Sequence, residues 1–147
     1  MSKKQRIRPL ALCVFRRGDS IFAARGYDSL KRQVYYRPIG GGIDFGERAI
    51  DTVKREVMEE MQAEVADLRY LGTLENIFVY HGETGHEIVL MFDGRFVDDF
   101  RNRDDYSAQG SDDGEIKFTA TWIPLDYFRQ RSAPLYPDGL LDLLDGK

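Results

Sequence analysis

The chain has 147 residues, of which 42% are hydrophobic and 31% are charged, and its formal net charge is −4 at pH 7. This length suits one domain with its own core, and the residue balance excludes an intrinsically disordered chain. The negative net charge excludes a broad electrostatic surface for nucleic acid, although local arginines or bound metal ions can still hold phosphate groups. We therefore expect residues 1–147 to form a single domain with no nucleic-acid partner.

Neither secretion nor membrane insertion is indicated by the sequence. The stretch MSKKQRIRPLALCVFRR has basic residues followed by an apolar run, but that run is short and lacks the small-residue cleavage site of a signal peptide. No stretch approaches the roughly 18 consecutive apolar residues of a membrane span. Cys13 is the single cysteine, and its apolar neighbours predict a buried core residue. We expect a cytoplasmic protein with no membrane partner.

The N-terminal part of the chain predicts β-strands. The segment IRPLALCVFRRGDSIFAARG predicts two strands, over about residues 8–16 and 20–25, joined by a turn at Gly18 and Asp19. YDSLKRQ follows as a polar loop, and VYYRPI is a short, aromatic, strand-like segment that leads into a glycine-rich stretch.

The pattern then changes to helical, from Glu47 to about Ala63. Four apolar residues recur there at intervals of three or four and form one stripe, as expected of an amphipathic helix. These residues are Ile50, Val53, Val57 and Met61.

The rest of the chain predicts further strands and two short helices. Residues 65–97 are strand-rich with a hairpin turn at HGETG, and IKFTATWIPL predicts another strand. The polar segment DDFRNRDDYSAQGSDDGE has little to bury, so we expect a mobile loop over residues 98–115. DYFRQ and PDGLLDLLD predict helices, each opened by a residue suited to capping. Strands on both sides of one long helix predict an α+β fold in which helices sandwich a mixed sheet.

Three carboxylates cluster on the long helix. Glu56, Glu59 and Glu60 stand at i, i+3 and i+4, so their side chains leave the same helix face. Each pair of like charges at this spacing destabilises a helix by roughly a few tenths of a kcal/mol. A solvated acidic face is the common explanation of such a run. The alternative is a hard divalent cation such as Mg²⁺ or Mn²⁺, which takes oxygen ligands and turns the repulsion into attraction.

The loop GGGIDFGER, which precedes the helix, has the glycine spacing of a phosphate-binding P-loop but not its chemistry. A P-loop continues with lysine and then serine or threonine, whereas Glu47 and Arg48 follow here. A lysine that would reach the phosphate is therefore absent from this loop.

Together, the loop and the helix form a longer pattern. It runs as Gly41, five residues, Glu47, seven residues, Arg55-Glu56, an aliphatic residue, one residue, and Glu59-Glu60. This pattern resembles the signature of the Nudix hydrolase family. It matches from Gly41 to Ala63 except at Gln62, where the family has glycine. A non-glycine residue in the left-handed turn that ends a helix costs on the order of 1 kcal/mol, so the exit of the helix is open to two geometries.

The resemblance implies the Nudix fold, an α-β-α sandwich in which the loop and helix of about residues 41–63 carry a metal site. It implies hydrolysis of a diphosphate linkage in a nucleoside diphosphate joined to another group, with Mg²⁺ or Mn²⁺ as cofactor. The implied metal ligands are Glu56, Glu59 and Glu60, with a backbone carbonyl near Gly41 as a further ligand.

The resemblance also implies roles for neighbouring residues. Arg55 would orient a glutamate, and Glu47 would support the site. Glu56 is the first candidate for the general base, but some family members take the base from a later loop. Glu115 is the candidate for that alternative and for an additional metal ligand. Asp112 and Asp113 compete with it.

Several residues outside the pattern are candidates for binding the substrate. Arg25 and Arg37 flank the glycine-rich loop and could bind phosphate. His86 and Glu87 lie on a predicted strand, where neighbouring side chains face opposite ways, so one of the two could line the cleft. No second histidine follows His86 at i+4, which excludes HExxH zinc chemistry. The aromatic candidates for stacking on a base are Tyr36, Phe45, Phe78 and Tyr80.

The sequence leaves the substrate open. Nothing resembles the SQPWPFPxS tail of the NADH-cleaving family members, and Leu68 to Glu83 contains no proline such as ADP-ribose-cleaving members often have. A tyrosine at position 80 is a weak indication of a dinucleoside polyphosphate. A regulatory module that binds a nucleotide without cleaving it, and an isomerase on the same scaffold, are the alternative functions. A homodimer is expected only from the family.

Overall fold

The computed structural model describes the backbone of residues 5–112 and 115–147, and the side chains of residues 5–110 and 118–147. Within these ranges, eight strands and three α-helices follow one another along the chain. They are β1 Ile7–Arg17, β2 Ser20–Asp28, β3 Gln33–Arg37, β4 Ile39–Gly42, α1 Ala49–Met61, β5 Val65–Tyr80, β6 Glu83–Phe96, β7 Ser107–Asp112, β8 Glu115–Pro124, α2 Leu125–Arg129 and α3 Leu140–Leu144.

The strands form one mixed sheet. Its main order is β5-β6-β1-β2-β8-β7, with β3 added beside β2 and β4 beside β1. Strands β1 and β6 run parallel, with Arg8 opposite Glu87, and the other pairs are antiparallel. The parallel pair brings the N-terminal strand beside a strand that lies some eighty residues later, so residues distant in sequence meet at one end of the sheet.

The core has two layers, one on each side of the sheet. Alternation along β1 and β2 sends Phe15 and Phe22 toward α1, where they meet the helix stripe that includes Val53 and Val57. The opposite face of the same strands packs against α2 and α3. The structure therefore confirms the predicted mixed sheet between helices. Among the described residues, no helix is both long and apolar enough to cross a membrane.

Two predictions about the C-terminal half are wrong. The segment expected to be a mobile loop over 98–115 contains a 3-10 helix at Asp99–Arg101 and strand β7. Strand β7 is held by backbone pairing with β8, and its small polar residues carry no alternating pattern that would reveal it. Helices α2 and α3 begin after Pro124 and Gly139, without the predicted side-chain caps.

Candidate active site

Strand β4 carries the glycine-rich loop against the long helix. It pairs with β1, and a Cβ atom on Gly40 would lie 2.1 Å from the backbone oxygen of Ala11. A Cβ atom on Gly41 would lie 2.5 Å from the Glu56 carboxyl carbon. Glycine is therefore required at Gly40 by the backbone of β1. At Gly41 a side chain would instead displace the movable carboxylate end of Glu56.

Arg55 joins the loop to the helix. Its Nε and Nη2 donate to the two carboxylate oxygens of Glu47, at 2.8 and 2.9 Å, and Nη2 also donates to the backbone oxygen of Gly42 at 3.1 Å. Its Nη1 donates to Glu56 at 3.0 Å and more weakly to Glu59 at 3.3 Å. The planar guanidinium can hold these partners at once because its donors leave three nitrogens in different directions.

Glu47 is fixed by this network. Besides the two bonds from Arg55, it accepts a hydrogen bond of 2.6 Å from the hydroxyl of Thr52, a buried residue of α1. The hydrogen bonds from Arg55 and then from Thr52 lower the pKa of Glu47 to about 2. Glu47 is therefore ionised at neutral pH, and it anchors Arg55 beside the other carboxylates.

The helix ends where the family signature has its last glycine. Gln62 adopts the left-handed conformation, with φ 52° and ψ 36°, so α1 stops after Met61. The Gln62 side-chain amide donates to the Glu59 backbone oxygen at 3.3 Å, and its own backbone oxygen accepts a hydrogen bond from Arg101 at 3.5 Å. Gln62 thus adopts the left-handed turn that glycine makes in the family signature, and the helix does not run further.

The charged residues of the loop and helix face a shared cavity of about 420 Å³, called here the main cavity. Its walls include glycines 40–42, three glutamates of α1 and three arginines from the strands. These charged residues are Glu56, Glu59, Glu60, Arg8, Arg25 and Arg37.

The three arginines are not neutralised by the glutamates across the main cavity. In the described part of the chain, none of these three arginines forms an ion pair within 4.0 Å, and the arginines that do form ion pairs lie outside this set. The main cavity is thus lined by both anionic and cationic side chains. A ligand that carries both an anionic group and a metal cation would satisfy both sets of side chains.

A second cavity of about 270 Å³, called here the side pocket, adjoins the main cavity. The two share four lining residues: Arg8, Tyr35, Arg37 and Glu87. The rest of the side pocket is lined by three aromatic residues, Phe78, Tyr80 and Tyr136, and by polar and charged residues that include Asp28, Lys31 and, on β5, Asn76. A ligand long enough to leave the main cavity would therefore enter a pocket in which flat aromatic side chains alternate with polar groups.

The structure separates the substrate-binding candidates into those that line a cavity and those that do not. Arg25 lies in the main cavity, Tyr80 and Phe78 in the side pocket, and Arg37 and Glu87 in both. The others lie elsewhere, Tyr36 packing against α2, Phe45 fully exposed on the loop, and His86 on β6, outside both cavities.

Arg8 and Asn76 are among the lining residues that sequence reasoning missed. Arg8 and Asn76 carry no local pattern, and only the parallel pairing of β1 with β6 places Arg8 beside Glu87. The three candidates for an alternative base lie outside the described residues, which omit the side chains of Glu115 and Asp112 and the whole of Asp113.

The oxygen donors of the main cavity suit a hard divalent cation. Three carboxylates of one helix lie beside the backbone carbonyls of the glycine strand, and this is the donor chemistry that Mg²⁺ and Mn²⁺ prefer. Among the described side chains, no three Asp, Glu, His or Cys groups already converge on one point. Arg55 pairs with Glu56 and Glu59 in this structure. The carboxylates of Glu56 and Glu59 would therefore have to rotate toward each other to bind one cation, and their oxygen chemistry then suits it.

The fold and the site define an α-β-α sandwich whose glycine-rich loop and carboxylate helix form one charged cavity. A family model described as the NUDIX domain matches residues 5–141. The chain belongs to the Nudix family.

Solved structures agree with this fold. A NUDIX hydrolase from Nitrosomonas europaea superposes with a TM-score of 0.65 at 15% identity, covering 95% of this chain and 87% of that one. A mutator MutT protein from Bacillus halodurans gives 0.61 at 16% identity, covering 94% and 80%. At these identities the likeness concerns the fold alone.

Curated relatives match over a shorter segment. The NAD-capped RNA hydrolase NudC of Pseudomonas syringae pv. tomato is 37% identical over 68 residues, which are 46% of this chain and 24% of that protein. The protein of the same name from Pectobacterium carotovorum is 36% identical over 67 residues, 46% of this chain and 25% of that protein. The matches thus span about a quarter of the length of these relatives.

Proposed function

We propose that this protein is a metal-dependent Nudix hydrolase that cleaves the diphosphate linkage of a nucleoside diphosphate joined to another group. The observation that carries the proposal is the main cavity, which is lined by three glutamates of α1 and by three arginines that form no ion pair with the described residues. In a diphosphate bound with a divalent cation, the phosphates would pair with the arginines and the cation with the glutamates.

The cation would be held by Glu56, Glu59 and Glu60, with a backbone carbonyl near Gly41 as a further ligand. When bound, Mg²⁺ or Mn²⁺ neutralises phosphate charge and lowers the pKa of a bound water. The backbone of Gly41 lies so close to Glu56 that this carboxylate is kept at the mouth of the loop. Glu115 stays a proposed additional ligand.

The arginines bind and orient the phosphates. Arg8, Arg25 and Arg37 surround the main cavity from β1, β2 and β3. Each guanidinium can donate two parallel hydrogen bonds to phosphate oxygens, which fixes both the position and the orientation of the diphosphate. Holding the reacting phosphorus in one place is a large part of catalysis in phosphoryl transfer.

Arg55 acts as a positioning residue for Glu56. Its Nη1 donates to Glu56 Oε1 at 3.0 Å, while Oε2 takes part in none of the hydrogen bonds recorded for the described residues. We assign Glu56 Oε2 as the atom that accepts the proton of the attacking water, and Glu115 as the alternative base. Glu47 supports this arrangement by holding Arg55 from the other side.

The curated relatives do not extend the proposal to a particular substrate. Their name refers to NAD-capped RNA, but the shared segment is about half of this chain. This sequence also has nothing like the SQPWPFPxS tail that follows the signature in NADH-cleaving members. That residues 1–147 form one cytoplasmic domain, and that the chain forms a homodimer, stay predictions.

The test is turnover of a substrate panel by the wild type and by charge-neutral variants. The panel contains nucleotide sugars, dinucleoside polyphosphates, ADP-ribose and modified nucleoside triphosphates, each with Mg²⁺ and with Mn²⁺. We expect Glu59→Gln and Glu60→Gln to lower kcat by about 10²-fold or more, because each removes a charge that holds the cation.

Glu64→Gln is the matched control, because Glu64 is exposed just after the helix and lies outside both cavities. Its kcat should equal that of the wild type, and circular dichroism should show that all three variants are folded. Full activity of both Glu59→Gln and Glu60→Gln would contradict the proposed function.

A further inference from the structure

Glu87 is a buried carboxylate with too few partners. It is 7% exposed, and among the described residues its only hydrogen bond comes from Asn76 Nδ2, at a long 3.4 Å. No described cation lies within ion-pairing distance, although Arg8 is its register neighbour on β1. Burial of an ionised group is costly unless hydrogen bonds or an opposite charge compensate it. A ligand that donates hydrogen bonds to this carboxylate would therefore complete its environment.

The position of Glu87 indicates what that ligand is. Glu87 lines both the main cavity and the side pocket, at their junction. The proposed diphosphate site occupies the main cavity, so the group attached to the phosphates passes Glu87 on its way into the side pocket. The aromatic walls of the side pocket, including Phe78 and Tyr80, suit a flat ring system.

Asn76 is oriented so that its amide group supports Glu87. The backbone N–H of Asp138 donates to Asn76 Oδ1 at 3.1 Å, which fixes the amide oxygen on that side. The Nδ2 group is then turned toward Glu87, and it carries a second N–H that this hydrogen bond does not use. A carboxylate acceptor and an amide donor thus stand side by side on the wall of the side pocket.

Building on the proposed function, we propose that the side pocket binds a guanine base and that Glu87 is the residue that selects it. Glu87 accepts hydrogen bonds from the ring N1–H and the exocyclic 2-amino group of the base, and the free N–H of Asn76 donates to its O6. The substrate class is then a guanosine diphosphate joined to another group.

Guanine is the base whose hydrogen-bonding edge matches a carboxylate. Its ring N–H and its amino group are adjacent donors, so each can face one carboxylate oxygen. Adenine and cytosine present one amino donor beside a ring nitrogen acceptor, and uracil presents one N–H between two carbonyl oxygens. In these bases an acceptor would face the buried carboxylate, and an unpaired buried polar group strongly disfavours the wrong ligand.

The test is equilibrium binding of GMP, AMP, UMP and CMP, measured by isothermal titration calorimetry with Mg²⁺ present. These monophosphates have no diphosphate linkage, so binding is read without turnover. We expect the wild type to bind GMP about 10- to 100-fold more tightly than the other three, the discrimination typical of a bidentate base contact. IMP, which lacks the 2-amino group, should bind at least about tenfold more weakly than GMP.

Glu87→Gln is the matching protein variant. The amide has nearly the same shape but replaces one acceptor with a donor, so GMP affinity should fall about tenfold or more while AMP affinity changes little. Glu83→Gln, an exposed change on the same strand, should bind like the wild type. The wild-type comparison of GMP with IMP needs no variant, so it decides the question even if Glu87→Gln does not fold.

Several results would overturn the inference, and the first three concern nucleotide preference. They are equal wild-type affinity for the four nucleotides, no binding of any of them, and unchanged GMP preference in folded Glu87→Gln. A loss of affinity in Glu87→Gln that is equal for all four bases would also overturn it, because Glu87 would then act on the phosphates or the cation.

Hydrolysis of the GDP, ADP, UDP and CDP forms of glucose separates this inference from the proposed function. Cleavage of all four at similar rates would leave the function standing and refute the base preference. Tight, selective binding of GMP without cleavage of any diphosphate would support the guanine pocket and refute the hydrolase.

Discussion

Replacing Arg55 by lysine tests whether the guanidinium network holds the active site together. The change keeps the positive charge but puts all donors on one nitrogen. Arg55 now makes four hydrogen bonds of 3.1 Å or shorter, from three nitrogens, to Glu47, Glu56 and the Gly42 backbone oxygen. A lysine ammonium cannot reproduce both the two-bond contact with Glu47 and the contacts on the other side.

The size of the effect follows from the bonds that lysine loses. Hydrogen bonds to charged groups contribute about 1.5–3 kcal/mol each. The Arg55 side chain is 28% exposed, so solvent screening reduces these values. Loss of two such bonds should lower the free energy of unfolding by about 2 kcal/mol, equivalent to a fall in Tm of about 4–8 °C for a chain of this size.

Thermal denaturation followed by circular dichroism, with urea titration at 25 °C, measures this change in Arg55→Lys. The matched control is Arg69→Lys, because Arg69 makes one ion pair with Asp93 and its side chain is 75% exposed. The control should lose less than about 1 kcal/mol. If Arg55→Lys were no less stable than Arg69→Lys, the network would be a set of weak surface contacts and the reasoning would fail.

Two further variants test the loop and the end of the helix. In Gly41→Ala, the new methyl group would meet the movable end of the Glu56 side chain at 2.5 Å, so kcat should fall about 10²-fold from the misplaced carboxylate while Tm changes little. If Tm fell strongly together with kcat, Gly41 would have a structural role only. In Gln62→Gly, relief of the left-handed conformation at φ 52° contributes about 1 kcal/mol. Loss of the exposed bond to the Glu59 backbone oxygen offsets part of it, so Tm should rise by about 1–2 °C; a fall in Tm would refute this account of the turn.

The three carboxylates of the main cavity are predictable from sequence because their common placement depends on local geometry. Helical spacing alone places Glu56, Glu59 and Glu60 on one face, and the structure puts all three on the main cavity. Glu47 lies eight residues before Arg55 and meets it because the loop folds directly back onto the helix. Most of this part of the site could therefore be predicted, because its residues are close together in the sequence.

The side pocket could not be predicted, because strand register forms it. Asn76 and Glu87 lie opposite each other on β5 and β6, while Arg8 joins them from β1 through a parallel pairing. Nothing in the local sequence specifies that pairing, since parallel strands meet only after the chain between them has folded. Glu87 was a candidate beside His86, and only the structure shows which of the two lines the cavities.

Strand β7 was missed for a different reason. SAQGSD has no alternation of apolar and polar residues, so a periodicity argument predicts a loop. The strand is fixed by its backbone ladder with β8 and follows a segment whose Tyr106 ring stacks on the buried Phe22 at 5.6 Å. The aromatic residue Tyr106 within this polar segment was the signal that could have indicated an ordered structure.

The central claim is that water, activated in the main cavity with a divalent cation, attacks a phosphorus atom of a diphosphate. The most direct measurement is ³¹P NMR of the reaction of the substrate panel in ¹⁸O-labelled water, with Mg²⁺ and in a parallel sample with EDTA. The account predicts a new phosphomonoester signal that carries the ¹⁸O isotope shift, with Mg²⁺ only. A panel in which no compound yields a phosphomonoester, or in which the yield with EDTA is the same, would contradict it.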